Sequence, residues 1–115
     1  MFVYIAGPYT SPDPAVNVRR AIDSAQSVMR MGHVPHIPHL SHFWHMIYPG
    51  EYEQWMSLDF AWLSKCDVLL RLPGASPGAD REMLEAARLG LRVVMSVGDI
   101  GRDAARRAIE AGADR

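Results

Sequence analysis

Short apolar segments that alternate with amphipathic ones, and that end at Gly or Pro, predict an α/β fold in a chain of 115 residues. Strand–helix alternation implies parallel pairing through right-handed crossovers. The expected architecture is therefore a small doubly wound parallel sheet of four to five strands, flavodoxin-like or Rossmann-like. A chain of this length makes one domain, residues 1–115. It buries roughly two thirds of its unfolded surface, enough for one modest core.

Met1 to Ala6 is apolar, β-branched and aromatic and stops at Gly7-Pro8, so it reads as a buried strand. Asp13-Pro14 supplies an N-cap and a first-turn proline. Val18, Ala21, Ile22, Ala25, Val28 and Met29 then recur at helical spacing until Gly32. Pro35 and Pro38 exclude a helix from His33 to Pro38 and suit an edge strand or an extended segment. Ser41 is placed to cap a short helix that Pro49-Gly50 breaks, and Glu51 to Ser64 reads as another helix. Asp67 to Leu72 is the next strand, closed by Pro73-Gly74. Ala79 to Leu89 is helical with Gly90 after it, Leu91 to Val97 is a fourth strand, and alanine-rich Gly101 to Ala111 is the last helix.

Composition narrows the function classes. The formal net charge is −1 with no block of like charges, which argues against a partner such as polymeric nucleic acid. No apolar run approaches the ~20 residues of a membrane span. The start MFVYIAGPYT lacks the basic stretch and cleavage site of a signal peptide, which points to the cytoplasm. Cys66 is the only cysteine, so an internal disulfide and a thiolate metal cluster are excluded.

Doubly wound sheets bind ligands beyond the carboxyl ends of their strands. The exits Gly7 to Thr10, the histidine-rich stretch, Pro73 to Gly78 and Ser96 to Asp99 are therefore expected to form the pocket. The Gly7-Pro8-Tyr9 turn, with Thr10 and Ser11 beyond it, offers amides and hydroxyls that suit a phosphate or a sugar hydroxyl, and equally a plain connection. It is neither a dinucleotide fingerprint nor a Walker loop. Pro73 to Gly78 leads into a helix whose first turn is expected to hold Asp80 and Glu82. The dipole there favours the anion, and an ionised carboxylate is what attack on an anomeric carbon requires. Simple capping accounts for the same two acids.

Asp59 and Asp67 separate by position. Asp67 opens a strand about 20 Å long and lies at its far end, whereas Asp59 lies roughly 12 Å back up the preceding helix. Asp59 shares a face with Trp55 and Trp62. Partial desolvation between them raises its pKa and suits a proton donor, while a bond to local backbone is the alternative. Glu85 is expected to be solvated or paired with Arg88. The five histidines His33, His36, His39, His42 and His45 recur every third residue. Without a regular element through them, or a cysteine nearby, they do not make a metal set. One or two of them are expected to contact ligand, His39 among them. Trp44, Tyr48 and Tyr52 suit stacking on a base or a subunit interface.

Three runs match one superfamily in order and spacing. Tyr4-Ile5-Ala6-Gly7-Pro8 resembles the Y-x-A-G-P opening of nucleoside 2-deoxyribosyltransferases. Asp59 to Asp67 resembles their D-x-x-x-L-x-x-x-D, and Ser76 to Glu82 their S-x-G-x-x-x-E. Two of these patterns also occur in the related 2-deoxynucleoside 5-monophosphate N-glycosidases. The resemblance spans roughly residues 1 to 97. It implies that Glu82 attacks the anomeric carbon, that Asp59 assists the departing base, and that Tyr4 positions the glutamate or sugar. Gly7, Ser76 and Gly78 would shape the cradle. It implies a nucleoside or nucleotide substrate and a homodimer or higher homo-oligomer with shared pockets; no cofactor and no metal are expected. Attack by a second base gives transfer and attack by water gives hydrolysis. The hydrolase would need a phosphate cradle, for which Tyr9-Thr10-Ser11 with Arg19 or Arg20 is the candidate. A nucleotide-sensing module without turnover is the reading from another class.

Overall fold

The computed structural model describes residues 1–113. Its elements run β1 (Phe2–Ala6), α1 (Pro14–Arg30), β2 (Val34–His36), a 3-10 turn (Pro38–Leu40), α2 (Ser41–Ile47), α3 (Tyr52–Leu63), β3 (Val68–Arg71), α4 (Pro77–Arg88), β4 (Arg92–Val94) and α5 (Val97–Ala113). The four strands pair in parallel in the order β2-β1-β3-β4. The chain thus winds from β1 outward to β2 and then crosses back over β1 to β3. The switch in direction falls between β1 and β3, where ligands bind in folds of this kind.

Alternation along β1 builds two cores. Val3 and Ile5 face α1 and α5, packing with Ala21, Ala25, Val28, Val68, Leu70 and Ile100. Tyr4 and Ala6 face α3 and α4, packing with Leu63, Leu69, Ala79 and Ala86. Each fully buried aliphatic side chain contributes roughly 1.5–3 kcal/mol. The second layer matters for the site, because it points Tyr4 toward the helices that carry Asp59 and Glu82.

Local chemistry sets the element ends. Asp13 caps α1 by accepting from the Ala15 amide at 2.9 Å, with Pro14 in the first turn. Pro35 is tolerated in β2 because that strand is an edge, paired with β1 alone. Three expectations are corrected. Helix α4 begins at Pro77 and not at Ala79, because the Ser76 hydroxyl accepts from the Ala79 amide at 3.1 Å and caps it. The last strand stops at Val94 and α5 begins at Val97, since Asp99 donates its amide to the Ser96 hydroxyl at 3.3 Å and starts the helix there. Ser41 is the first residue of α2 and makes no capping hydrogen bond. No described helix is long and apolar enough to cross a membrane.

Candidate active site

The α4 cap places Ala79, Glu82 and Ala86 on one buried stripe of the helix. Two of these are alanine and pack against the sheet; the third is a carboxylic acid that is 5% exposed. The Tyr4 hydroxyl, projecting from β1 onto the same face, donates to Glu82 Oε2. Glu82 Oε1 has no protein partner among the described residues. Glu82 therefore lies in the second turn of α4, out of reach of the free first-turn amides, and the expected stabilisation of its anion by the helix end does not hold. Burial instead pushes the carboxyl up to about 8, against the Tyr4 hydrogen bond; the Asp59 charge raises it further and Arg71 lowers it.

Asp59 sits one helical turn beyond Trp55 on α3, half-buried, and burial pushes it up to about 7. Both acids line one cleft of about 630 Å³. Burial favours the protonated form of both acids, and the Asp59 charge adds to the cost of ionising Glu82. That arrangement can present an acid and a nucleophile to the same bond. The cleft opens at the β1 and β3 ends and is walled by the Gly7–Ser11 loop, the start of α4, and Tyr52, Trp55 and His45. Gly78 lets Tyr52 approach, since a Cβ there would stand 3.3 Å from the tyrosine oxygen.

Buried polar groups hold the loops in shape. Asn17, 4% exposed, donates its amide to the carbonyls of Tyr9 at 3.0 Å and Ser11 at 2.9 Å. His39 Nε2 donates to the Pro8 carbonyl at 3.1 Å, while its Nδ1 is buried without a partner. Burial lowers the His39 pKa and keeps the ring neutral. Gly7 fits against Leu72, whose Cβ would lie 2.9 Å from any added Cβ. Gly74 has φ +112 and leaves no room beside Pro8, whose Cγ would be 2.8 Å from a side chain. Arg71, 7% exposed at the end of β3, donates to the carbonyls of Leu72 and Gly74, the latter at 2.9 Å, and pairs with Asp80 at 3.2 Å.

Glu82, Asp59, Gly7, Pro8, Tyr9, Ser76, Gly78 and His39 all line the cleft. Tyr4 does not: it is fully buried behind Glu82 and reaches the cleft only through it. Burial raises the Tyr4 pKa well above its ordinary value, with the charges of Glu82 and Asp59 adding to the effect, so it remains a donor.

Other expectations separate. Arg19 pairs with Asp23 on the exposed side of α1, and Arg20 borders a second, smaller hollow with Asn17 and Pro73; neither lines the cleft. Ser96 to Asp99 forms the start of α5 after the edge strand β4 and does not line the cleft. Asp67 accepts from the Phe2 amide at 2.8 Å and ties β3 to β1. Glu85 pairs with Arg88. The histidines are engaged one by one. His33 meets the N-terminal amine at 2.9 Å, His36 stacks on Trp62 at 4.8 Å, and His42 bonds the Tyr9 hydroxyl.

Two residues escaped the sequence reading. Arg71 signals itself as the one charge in the apolar run Val68 to Leu72. Asn17 gives no local signal, because a polar residue in a first helical turn is ordinary.

A family model described as a domain of unknown function (DUF7768) matches residues 1–96. No curated protein matches the chain. Among solved structures, a 2-deoxyribosyltransferase from the psychrotolerant bacterium Bacillus psychrosaccharolyticus is 17% identical with a TM-score of 0.63, over 81% of this chain and 69% of that one. A 2-desoxiribosyltransferase from Leishmania mexicana is 20% identical with a TM-score of 0.60, over 81% of this chain and 61% of that one. At these identities the likeness is one of fold.

Proposed function

The chain belongs to the DUF7768 family, domains of unknown function, and we propose that it is an enzyme that cleaves the N-glycosidic bond of deoxynucleosides and transfers the sugar through a glycosyl-enzyme intermediate. The observation that carries this reading is the buried Glu82, with Tyr4 bonded to Oε2 and Oε1 left free in the cleft that Asp59 also lines. In the first step Glu82 Oε1 attacks C1′, the C–N bond breaks, and the base leaves with the bonding pair while taking a proton from Asp59. In the second step a new base attacks C1′, the ester breaks, and the proton of the incoming base returns to Asp59. Two inversions retain configuration.

The competent pair has Asp59 protonated and Glu82 ionised. Burial raises the Glu82 carboxyl as well as that of Asp59, so ionising Glu82 while Asp59 keeps its proton carries a cost. Positive charge developing on the sugar favours the ionised Glu82 and offsets that cost. Tyr4 is a positioning residue in this account.

An uncharged nucleoside fits better than a monophosphate. No Arg or Lys lines the cleft among the described residues, while two acids do. We place a second copy of the chain over the open side of the cleft, in a homo-oligomer. Support comes from α2, which buries none of its residues and exposes Phe43, Trp44, Met46 and Ile47. The test is incubation with 2′-deoxynucleosides and with their 5′-monophosphates, with and without a second free base. Base exchange with nucleosides is the expected outcome. Release from monophosphates alone would instead identify a hydrolase, and binding without reaction a sensor.

A further inference from the structure

His45 lines the same cleft and has no part in the chemistry above. Its Nδ1 accepts from Trp55 Nε1–H at 2.9 Å and from the Gly50 amide at 3.2 Å. An indole N–H and a backbone N–H only donate, so Nδ1 carries the lone pair and the ring proton sits on Nε2. Nε2 has no protein partner among the described residues and is not enclosed. The ring is wedged in place. Trp55 meets it edge-on at 5.6 Å and 76°, and Trp44 braces Trp55 in turn at 5.3 Å and 82°. Gly50 is pressed so close that a Cβ would lie 2.7 Å from Gln54 Oε1 and 3.0 Å from Trp55 Nε1. A neutral imidazole with a fixed tautomer is thus held at the cleft wall by Trp55, which lies one helical turn of α3 before Asp59.

We propose that His45 is a specificity-determining residue that donates a hydrogen bond from Nε2–H to a ring-nitrogen or carbonyl acceptor on the heterocycle of the bound nucleoside. The inference rests on the nucleoside reading and adds the group that selects the base: edges bearing an acceptor are favoured, and edges bearing N–H at that point are rejected. Trp55 has two roles, as an apolar wall of the cleft and as the donor that fixes the histidine tautomer.

The test is calorimetric binding to full-length protein carrying Glu82→Gln, so that nothing turns over. The probes are 2′-deoxyadenosine and indole 2′-deoxyriboside, whose base has no acceptor. His45→Asn keeps an oxygen acceptor at the Nδ1 position for Trp55 and Gly50 but removes the Nε2 donor. It is expected to weaken deoxyadenosine about three- to tenfold, the value of one such bond, and to leave the indole nucleoside and the melting temperature unchanged. His45→Gln, which restores a donor near the Nε2 position, is expected to bind deoxyadenosine within about twofold of the His45 protein. Equal weakening of both probes by His45→Asn, or of neither, would overturn the inference while leaving the nucleoside reading standing. Failure of both probes to bind the protein with His45 intact would overturn both.

Discussion

Replacing Glu82 by glutamine removes a charge from a place that resists it, and the effect is readable in stability as well as in turnover. Glu82 is 5% exposed, and burial raises its carboxyl from an ordinary 4.5 to about 8. The folded chain therefore holds this proton more tightly than the unfolded chain does. Below pH 4.5 the neutral group is no burden; as the pH rises from 4.5 to about 8 only the unfolded chain releases the proton readily, so the native state loses stability until the loss is complete above about 8. A shift of this size corresponds to about 5 kcal/mol when fully expressed. Solvent in the open cleft reduces it to about 2–3 kcal/mol.

Glutamine keeps the shape and still accepts from the Tyr4 hydroxyl, so the variant escapes the loss. With each kcal/mol worth about 4 °C in a domain of this size, Glu82→Gln is expected to melt about 8–12 °C above wild type at pH 9. The gap should close to within about 2 °C at pH 4.5. Calorimetric scans at matched ionic strength measure both ends. A gap independent of pH, or a wild type more stable at pH 9, refutes the account of Glu82 as a buried acid with a raised pKa.

Three further outcomes follow from the same geometry. Asp59→Asn is expected to lower kcat by about 10²–10⁴-fold, the usual share of a general acid, and to remove the decline that wild type shows as Asp59 loses its proton above about pH 7. Tyr4→Phe deletes a hydrogen bond that pulls Glu82 down. The acid limb of the kcat profile should then move to higher pH, with kcat at neutral pH falling about tenfold while KM stays within a factor of two or so. Arg71→Met strips the Leu72 and Gly74 carbonyls of their donor. It is expected to cost about 2–3 kcal/mol in urea unfolding, whereas Arg19→Met, at an exposed pair on α1, should change the midpoint little.

Most of the layering was legible because it follows from periodicity. Alternation in residues 2–6 and the helical spacing from Val18 to Met29 each have one physical solution, and Pro35 sits on the edge strand while Pro38 opens the turn after it. Element starts were less legible wherever a side chain decided them. The hydroxyls of Ser76 and Ser96 begin α4 and α5 two or more residues before the apolar pattern does, and the first of these shifts moved Glu82 out of the first turn. Its electrostatics changed with that shift. A carboxylate expected to be held ionised by a helix end is a buried acid whose pKa is raised. The direction of the Asp59 shift matches the expectation of partial desolvation, and Asp59 lines the cleft with Trp55. Long-range partnerships were not readable. Nothing near Asn17 shows that it bonds two carbonyls of the preceding loop, and nothing near His45 shows that an indole ten residues on fixes its tautomer.

The central claim is that Glu82 bonds covalently to a sugar carbon. Intact-protein mass spectrometry after rapid acid quench, on protein incubated with 2′-deoxyadenosine and no second base, addresses it directly. The account predicts a population heavier by one deoxyribosyl group, with the added mass mapped to the peptide containing Glu82 and absent from Glu82→Gln. Base exchange without any such species, or an adduct on another residue, contradicts it.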